Sequence, residues 1–281
     1  MQVIKTKTKL KEELNKLGDQ LSLGLVPTMG ALHDGHASLI KKAVSENENV
    51  IVSIFVNPTQ FNNQEDLDKY PKTIDNDIEL ISDISDRIIL FTPEVSEIYP
   101  KTVTPKTYDF EGLDKVMEGE FRDDHFNGVG TIVEELFKIV QPNKAYFGEK
   151  DFQQLRIIQK LTEIKDIPVE IIGCDIIREE HGLAMSSRNE RLSTKMRQKA
   201  AFIYDTLKTA KIKFGMENAL NVKDWVIDEF KNHDDFELEY FDITDVETLT
   251  PMQNKINNVK YRAFIAVYVE DVRLIDNIAL N

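Results

Sequence analysis

The chain has 281 residues, enough for one large domain or two modest ones. Its 41% hydrophobic and 30% charged content is that of an ordinary water-soluble globular protein, and no apolar run approaches the roughly 18 residues of a bilayer crossing. The formal net charge of −14 disfavours a nucleic-acid partner, and a small anionic substrate can bind only where a few cations and helix N-termini reverse the local field.

The first seven residues carry no apolar signal core, so export is not expected and the chain reads as cytoplasmic. Residues 22–27 read as a strand and 35–46 as a helix. Residues 49–56 form a near-continuous apolar run, the pattern of a strand covered on both faces. Helical spacing follows at 74–84 and another buried strand at 87–91. Residues 102–107, with Pro105 inside, read as a loop. A helix is predicted over 129–140, a short strand over 145–147, a helix over 151–165 and a strand over 169–177. This alternation predicts a doubly wound α/β domain with a parallel sheet, spanning 1–178. The pattern then changes. Helices are predicted over 194–214 and 222–232, and strands over 236–243, 261–269 and 272–278, the last two joined by Glu270-Asp271 as a hairpin. Residues 179–281 therefore read as a second, smaller α+β domain with an antiparallel sheet. The single cysteine, Cys174, has no intrachain disulfide partner and lies in an apolar segment, where a buried small side chain is expected.

The most informative stretch is Met29-Gly30-Ala31-Leu32-His33-Asp34-Gly35-His36, between a strand and an amphipathic helix. In α/β proteins that order brings backbone N–H groups to a phosphate. The two histidines have three readings: solvated turn residues, zinc ligands with Asp34, or imidazole donors to phosphate oxygens. Zinc lacks a helical His-Glu-x-x-His or a cysteine cluster to support it. Gly30 and Gly35 favour phosphate, because a glycine between the histidines lets a nucleotide approach the backbone without meeting a Cβ.

Three further segments could carry chemistry. Asn57 and Gln60 follow the strand that contains Phe55, at the edge where open α/β sheets bind ligands. They are either a capped turn or a site at which the Gln60 amide orients a substrate carboxylate or hydroxyl. Gly148, Glu149, Lys150 and Asp151 open a helix, with Gln154 one turn along it. Asp151 reads as an N-cap. A lysine at a helix start opposes the helix dipole, which is understandable if Lys150 faces a phosphate. Met185-Ser186-Ser187-Arg188 follows Gly182 near the domain boundary, and is either a solvated linker or a loop that closes over a triphosphate.

Taken together and in order, these motifs closely resemble the pantothenate synthetase (pantoate–β-alanine ligase) family. The 29–36 segment resembles the HxGH signature of nucleotidyltransferases and class I aminoacyl-tRNA synthetases. The resemblance spans nearly the whole chain, including Leu274-Ile275-Asp276-Asn277. It implies a Rossmann-like domain with the smaller domain as a lid, a likeness to homodimers, and ATP, pantoate and β-alanine as substrates. It further implies a pantoyl-adenylate intermediate and the products AMP and pyrophosphate. By the family pattern ATP lies along Met29, Gly30, Ala31, Leu32, His33, Asp34, Gly35 and His36, with His36 a catalytic donor and His33 a second contact. Gly148, Glu149, Lys150 and Asp151 contact the nucleotide, Lys150 on its phosphates, and Ile177 packs by the adenine. Met185, Ser186, Ser187 and Arg188 replace the synthetases' KMSKS loop, with Arg188 as counter-charge. Gln60 and Gln154 hold pantoate, Gln60 also helps receive β-alanine, and Asn57 lies beside them. Phe55, Val129, Ile132 and Val133 line the gem-dimethyl pocket. Arg122 and His125 match a family segment near the site.

The acidic cluster of the family reads Asp75-Asn76-Asp77 here, and Asn76 departs from its consecutive aspartates. Magnesium is expected as the ATP complex, coordinated mainly by triphosphate oxygens, with Asp77 the one protein group considered as a contributor. An adenylyltransferase and a non-catalytic nucleotide sensor are the alternatives. Gln60 and Gln154 favour an acid over a phosphate acceptor, and mere binding does not require His33, His36, Lys150 and Arg188 together.

Overall fold

The computed structural model describes residues 1–18, 21–61 and 64–281. Nine strands occur among them: β1 (Gln2–Ile4), β2 (Leu23–Thr28), β3 (Asn49–Ile54), β4 (Ile88–Phe91), β5 (Lys144–Gly148), β6 (Glu170–Cys174), β7 (Phe236–Asp245), β8 (Tyr261–Val269) and β9 (Val272–Ala279). The chain divides into two compact units. The first comprises Met1–Asp114, Glu118–Glu149 and Gln154–Asp175. The second comprises Lys115–Met117, Lys150–Gln153 and Ile176–Asn281. The division thus falls three residues before the 178/179 boundary read from the pattern, and two short segments from earlier in the chain group with the second unit.

In the first unit the sheet order is β1-β4-β3-β2-β5-β6 and every pairing is parallel. Parallel neighbours need crossovers. The helices Asp34–Glu46, Ile74–Ile84 and Phe152–Lys165 supply them between β2 and β3, β3 and β4, and β5 and β6. β3 buries Val50, Ile51 and Val52 in succession, as a strand covered on both faces does. Val26, Ile40, Val52, Ile81, Leu90 and Tyr146 share one core cluster with Cys174. The strand order runs outward from β2 through β3 and β4, then resumes on the other side with β5 and β6. The topological switch point, where such sheets bind ligands, is therefore between β2 and β5.

The second unit contains the antiparallel sheet β7-β8-β9. Its central strand β8 buries every residue except Tyr268. The helices Ala201–Met216 and Ala219–Lys231 pack Leu207, Phe214, Val222 and Phe230 into one cluster with Ala263, Ile265 and Val267. Glu270 and Asp271 form the expected hairpin turn, Glu270 at φ +56°.

Differences from the sequence reading have local causes. β1 and the helix Lys7–Leu17 were not legible, because β1 has three residues and only Ile4 is buried. The helix expected from 129 begins at His125, after a left-handed Asp124 (φ 55°) whose side chain makes no cap hydrogen bond. The single helix expected over 194–214 is two, Thr194–Lys199 and Ala201–Met216, which meet at Ala200. The strand expected over 169–177 is five residues long, because the chain passes to the second unit after Asp175.

An ion network around the buried Glu134 pins the loop before the helix His125–Val140. Glu134 accepts from Tyr108 Oη at 2.5 Å, Lys106 Nζ at 3.0 Å and Lys138 Nζ at 2.6 Å. Burial pushes the Glu134 carboxyl up, but bonds from Lys138, Tyr108 and Lys106 outweigh it and hold the group at about 2, below its ordinary 4.5. A carboxyl depressed by folding stabilises above its unfolded value and loses that contribution as pH falls through the folded one. Glu134→Gln is therefore expected to destabilise the protein by about 1–3 kcal/mol at neutral pH in urea melts. The gap from wild type should close between about pH 4.5 and about pH 2. A gap independent of pH would show that the charge of Glu134 contributes nothing.

Candidate functional site

The site in the first unit begins where β2 and β3 stop together. Thr28 pairs with Ile54, and the Phe55 N–H donates to the Thr28 carbonyl at 3.0 Å. The turn after β2 then takes two left-handed residues in succession, Gly30 (φ 82°) and Ala31 (φ 51°). Such a turn exposes N–H groups that need acceptors. Asp77, 2% exposed on the helix Ile74–Ile84, provides them. Its Oδ2 accepts from Ala31 N at 3.1 Å, and its Oδ1 accepts from Leu32 N at 2.8 Å and from Thr73 Oγ1 at 3.1 Å. A Cβ at Gly30 would lie 3.0 Å from Asp77 Oδ2 and from Ile54 Cγ2, so both φ and space demand glycine there.

The turn ends in a capping box made of histidines. His33 is the N-cap of the helix Asp34–Glu46. Its Nδ1 accepts from Gly35 N at 3.1 Å, and the Nδ1 of His36 accepts from His33 N at 3.3 Å. The ring centroids are 4.1 Å apart. A ring nitrogen that accepts carries no proton, so the proton of each neutral ring is on Nε2. That tautomer gives two N–H donors at a helix N-terminus, the arrangement an anion requires.

The turn after β3 stands against the first. Gln60 closes the short 3₁₀ segment Pro58–Gln60, which Asn57 caps. Its Nε2 is 2.9 Å from Met29 Sδ, so Gln60 and the Gly/His turn are neighbours. Its carbonyl accepts from His125 Nδ1 at 2.8 Å, and Arg122 Nη1 lies 3.1 Å from His125 Nε2. The carbonyl can only accept and the guanidinium only donate, which fixes His125 as the neutral Nδ1–H tautomer. Gly128, on the same helix as His125, allows the close approach: a Cβ there would sit 2.1 Å from the Thr59 carbonyl oxygen. Phe55, Val129, Ile132 and Val133 are all buried, the last three on the helix His125–Val140 that abuts this turn.

At the end of β5, Gly148 and Glu149 reach the switch point, and Gln154 is half-buried in the first turn of the helix Phe152–Lys165. Sequence spacing did not identify Tyr99, whose hydroxyl donates to Asn57 Oδ1 at 2.7 Å from 42 positions away, or the clamping role of Asp77, 46 positions from Ala31; neither carries a local motif. Among the described residues no group of three or more His, Cys, Asp or Glu could hold a metal ion. Asp77, the residue considered for magnesium, already serves three donors.

Within the second unit, Lys150 stands in the turn Glu149–Asp151. Its carbonyl accepts from Asn277 Nδ2 at 2.9 Å, and its ammonium is 4.0 Å from the Asp151 carboxylate. Asn277 is itself buried and bonded to Arg262, which stacks on Phe152 with the guanidinium carbon 4.0 Å from the ring centroid. Ile177 and Met185 are brought together: Met185 N donates to the Ile177 carbonyl at 3.0 Å, beside an Arg178–Ala184 bridge that turns at Gly182 (φ 107°). Arg178 is locked by a two-pronged bond to Asp276 at 2.6 and 2.9 Å. Ser186 then caps the 3₁₀ segment Ser187–Arg191, accepting from Arg188 N at 3.2 Å. Glu179 steadies this loop through Asn189 and Arg197. Burial pushes its carboxyl up, but those two partners outweigh it and hold it below the usual carboxylate range.

A six-stranded parallel sheet with a histidine-capped turn beside its switch point defines a doubly wound, Rossmann-like α/β protein. Comparison with known proteins narrows the class. The family model described as pantoate-beta-alanine ligase matches residues 2–279. A pantothenate synthetase of Christiangramia forsetii is 54% identical, with all of both chains covered. The crystal structure of the Thermus thermophilus pantothenate synthetase is similar with a TM-score of 0.91 at 36% identity, over 100% of this chain and 99% of that one. The pantoate-beta-alanine ligase of Francisella tularensis, solved in complex with beta-gamma ATP and beta-alanine, gives a TM-score of 0.83 at 37% identity, over 100% and 98%. The chain belongs to the pantoate-beta-alanine ligase family, and is thus an enzyme of the ligase type.

The clamp on the turn can be tested alone. Asp77→Asn turns one acceptor oxygen into an NH₂ that faces a backbone donor. It is expected to cost about 1–3 kcal/mol of stability in urea melts. Asp75→Asn, at an exposed position of the same helix, is the control and should be silent. Equal effects would remove Asp77 as the clamp.

Proposed function

We propose that this enzyme joins pantoate to β-alanine in two steps at the expense of ATP. In the first, a pantoate carboxylate oxygen attacks the α-phosphorus of ATP. The bond from that phosphorus to the bridging oxygen breaks, and pyrophosphate leaves with the electron pair. In the second, the β-alanine amine attacks the acyl carbon of the pantoyl adenylate. The acyl–oxygen bond breaks, AMP leaves, and the nitrogen gives up a proton. The observation that carries this reading is the contact between Gln60 and Met29. An amide suited to an acid stands 2.9 Å from the turn suited to a phosphate. The Francisella relative, with its ATP compound and beta-alanine, supports it.

The residues take roles that their chemistry fits. Met29 to His36 line the nucleotide, and the Nε2–H groups of His33 and His36 donate to phosphate oxygens as charge builds on them. Gly148 and Glu149 contact the nucleotide, and Asp151 does so beside Lys150. Lys150, Ser186, Ser187 and Arg188 are the cation and hydroxyl donors for the triphosphate, which arrives as its magnesium complex. Ile177 and Met185 offer apolar surface to the adenine. Gln60 and Gln154 hold pantoate, Gln60 also receives β-alanine, and Asn57 orients Gln60. Phe55, Val129, Ile132 and Val133 give the apolar wall for the gem-dimethyl group. Exclusion of water matters because an acyl adenylate hydrolyses. The reading includes a cytoplasmic homodimer, supported by the family resemblance.

The test supplies ATP and pantoate, with and without β-alanine, and follows AMP and pyrophosphate. Steady AMP release that requires β-alanine is expected, and release indifferent to the amine overturns the proposal. His36→Ala should lower adenylate formation by about two to four orders of magnitude. Lys150→Ala should raise the KM for ATP and lower kcat together, and unchanged kinetics would remove Lys150 from the mechanism.

A further inference from the structure

The polarity of the Gln60 amide is determined by a chain of groups that reaches Tyr99. The Thr59 N–H can only donate, and it meets the Asn57 amide at 3.4 Å, so the atom there is Oδ1. The Gly128 carbonyl can only accept, and it meets the other end at 3.1 Å, so that end is Nδ2. Nδ2 also donates to the Gln60 amide at 3.1 Å, which makes the atom facing it Oε1. Nε2 is therefore the end presented beside Met29. An anionic acid needs a donor at that place, because Oε1 turned toward it would repel it.

The Asn57 amide is 1% exposed, and its orientation depends on what grips Oδ1. Thr59 does so weakly, by its N–H at 3.4 Å and its hydroxyl at 3.0 Å. The Tyr99 hydroxyl does so at 2.7 Å, the shortest of these bonds. The Tyr99 ring is fixed in turn against Phe55, centroid to centroid 6.2 Å. We infer that Tyr99 is a positioning residue: through Asn57, its hydroxyl holds the Gln60 amide so that Nε2 rather than Oε1 meets the carboxylate of the acid substrate. This rests on the proposed role of Gln60.

The experiment is a double-mutant cycle on the full-length enzyme, with Tyr99→Phe, Gln60→Ala and the pair. The phenylalanine keeps the ring against Phe55 and removes only the hydroxyl. Tyr99→Phe is expected to raise the KM for pantoate roughly three- to tenfold, as one lost hydrogen bond does. The KM for ATP should stay within about twofold, and in the Gln60→Ala background the same change should have under about a twofold effect on pantoate. An equal rise for ATP, or an undiminished effect without Gln60, overturns the relay and makes Tyr99 merely structural. Asn57→Asp is the second variant. A carboxylate accepts where Nδ2 donated, so Gln60 turns round, and the KM for pantoate should rise further than in Tyr99→Phe. An unchanged value overturns the relay. If Gln60→Ala alone leaves the pantoate KM at its wild-type value, the acid-binding role of Gln60 fails first and the relay falls with it.

Discussion

The parallel pairing of β2 with β3 is the constraint from which the first unit's site follows. Because the two strands point the same way and stop in register at Thr28 and Ile54, their following turns leave the same edge side by side. That alone brings Met29 against Gln60, residues with no sequence relation to each other. An antiparallel pairing would send one turn to the opposite end of the sheet. Each turn is then held by a helix from elsewhere in the chain. Ile74–Ile84 grips the first through Asp77, and His125–Val140 presses on the second through Gly128 and His125.

For the anionic substrates proposed above, the two turns meet one electrostatic problem in different ways. The chain is strongly acidic overall, so an anion must be met by local donors. The first turn uses backbone geometry, with a histidine capping box that leaves both ring protons on Nε2. The second uses neutral amides whose direction is set by groups that can bond in one sense only. Obligate donors and acceptors of the main chain set both the tautomers and the sense of the Asn57 amide, and the Tyr99 hydroxyl adds the shortest bond that holds that amide in place.

Much of this was legible in the sequence, and the boundary of legibility is physical. The 3.6 periodicity found the helix Ile74–Ile84, and a near-continuous apolar run found the strand Tyr261–Val269, both at their observed bounds. The hairpin at Glu270-Asp271 followed from its length. The Gly/His turn and Gln60 stood out because glycines, histidines and strand ends are local signals. Tyr99 and Asp77's clamp did not, because each is defined by a partner 42 or 46 positions away. Asp77 read as a possible metal contact for the same reason: an acidic cluster looks alike whether it faces an ion or a backbone turn. β1 escaped because a three-residue edge strand has no period to detect.

Cys174 ends β6, an edge strand that among the described residues pairs with β5 alone. It is buried in the core cluster of the first unit, and burial raises its thiol to about 11. In the closed strand the sulfur is both shielded and protonated, so an alkylating reagent finds no nucleophile. It becomes one only when the strand lifts from its neighbour. The rate at which this thiol takes up label would therefore report opening at the rim of the sheet.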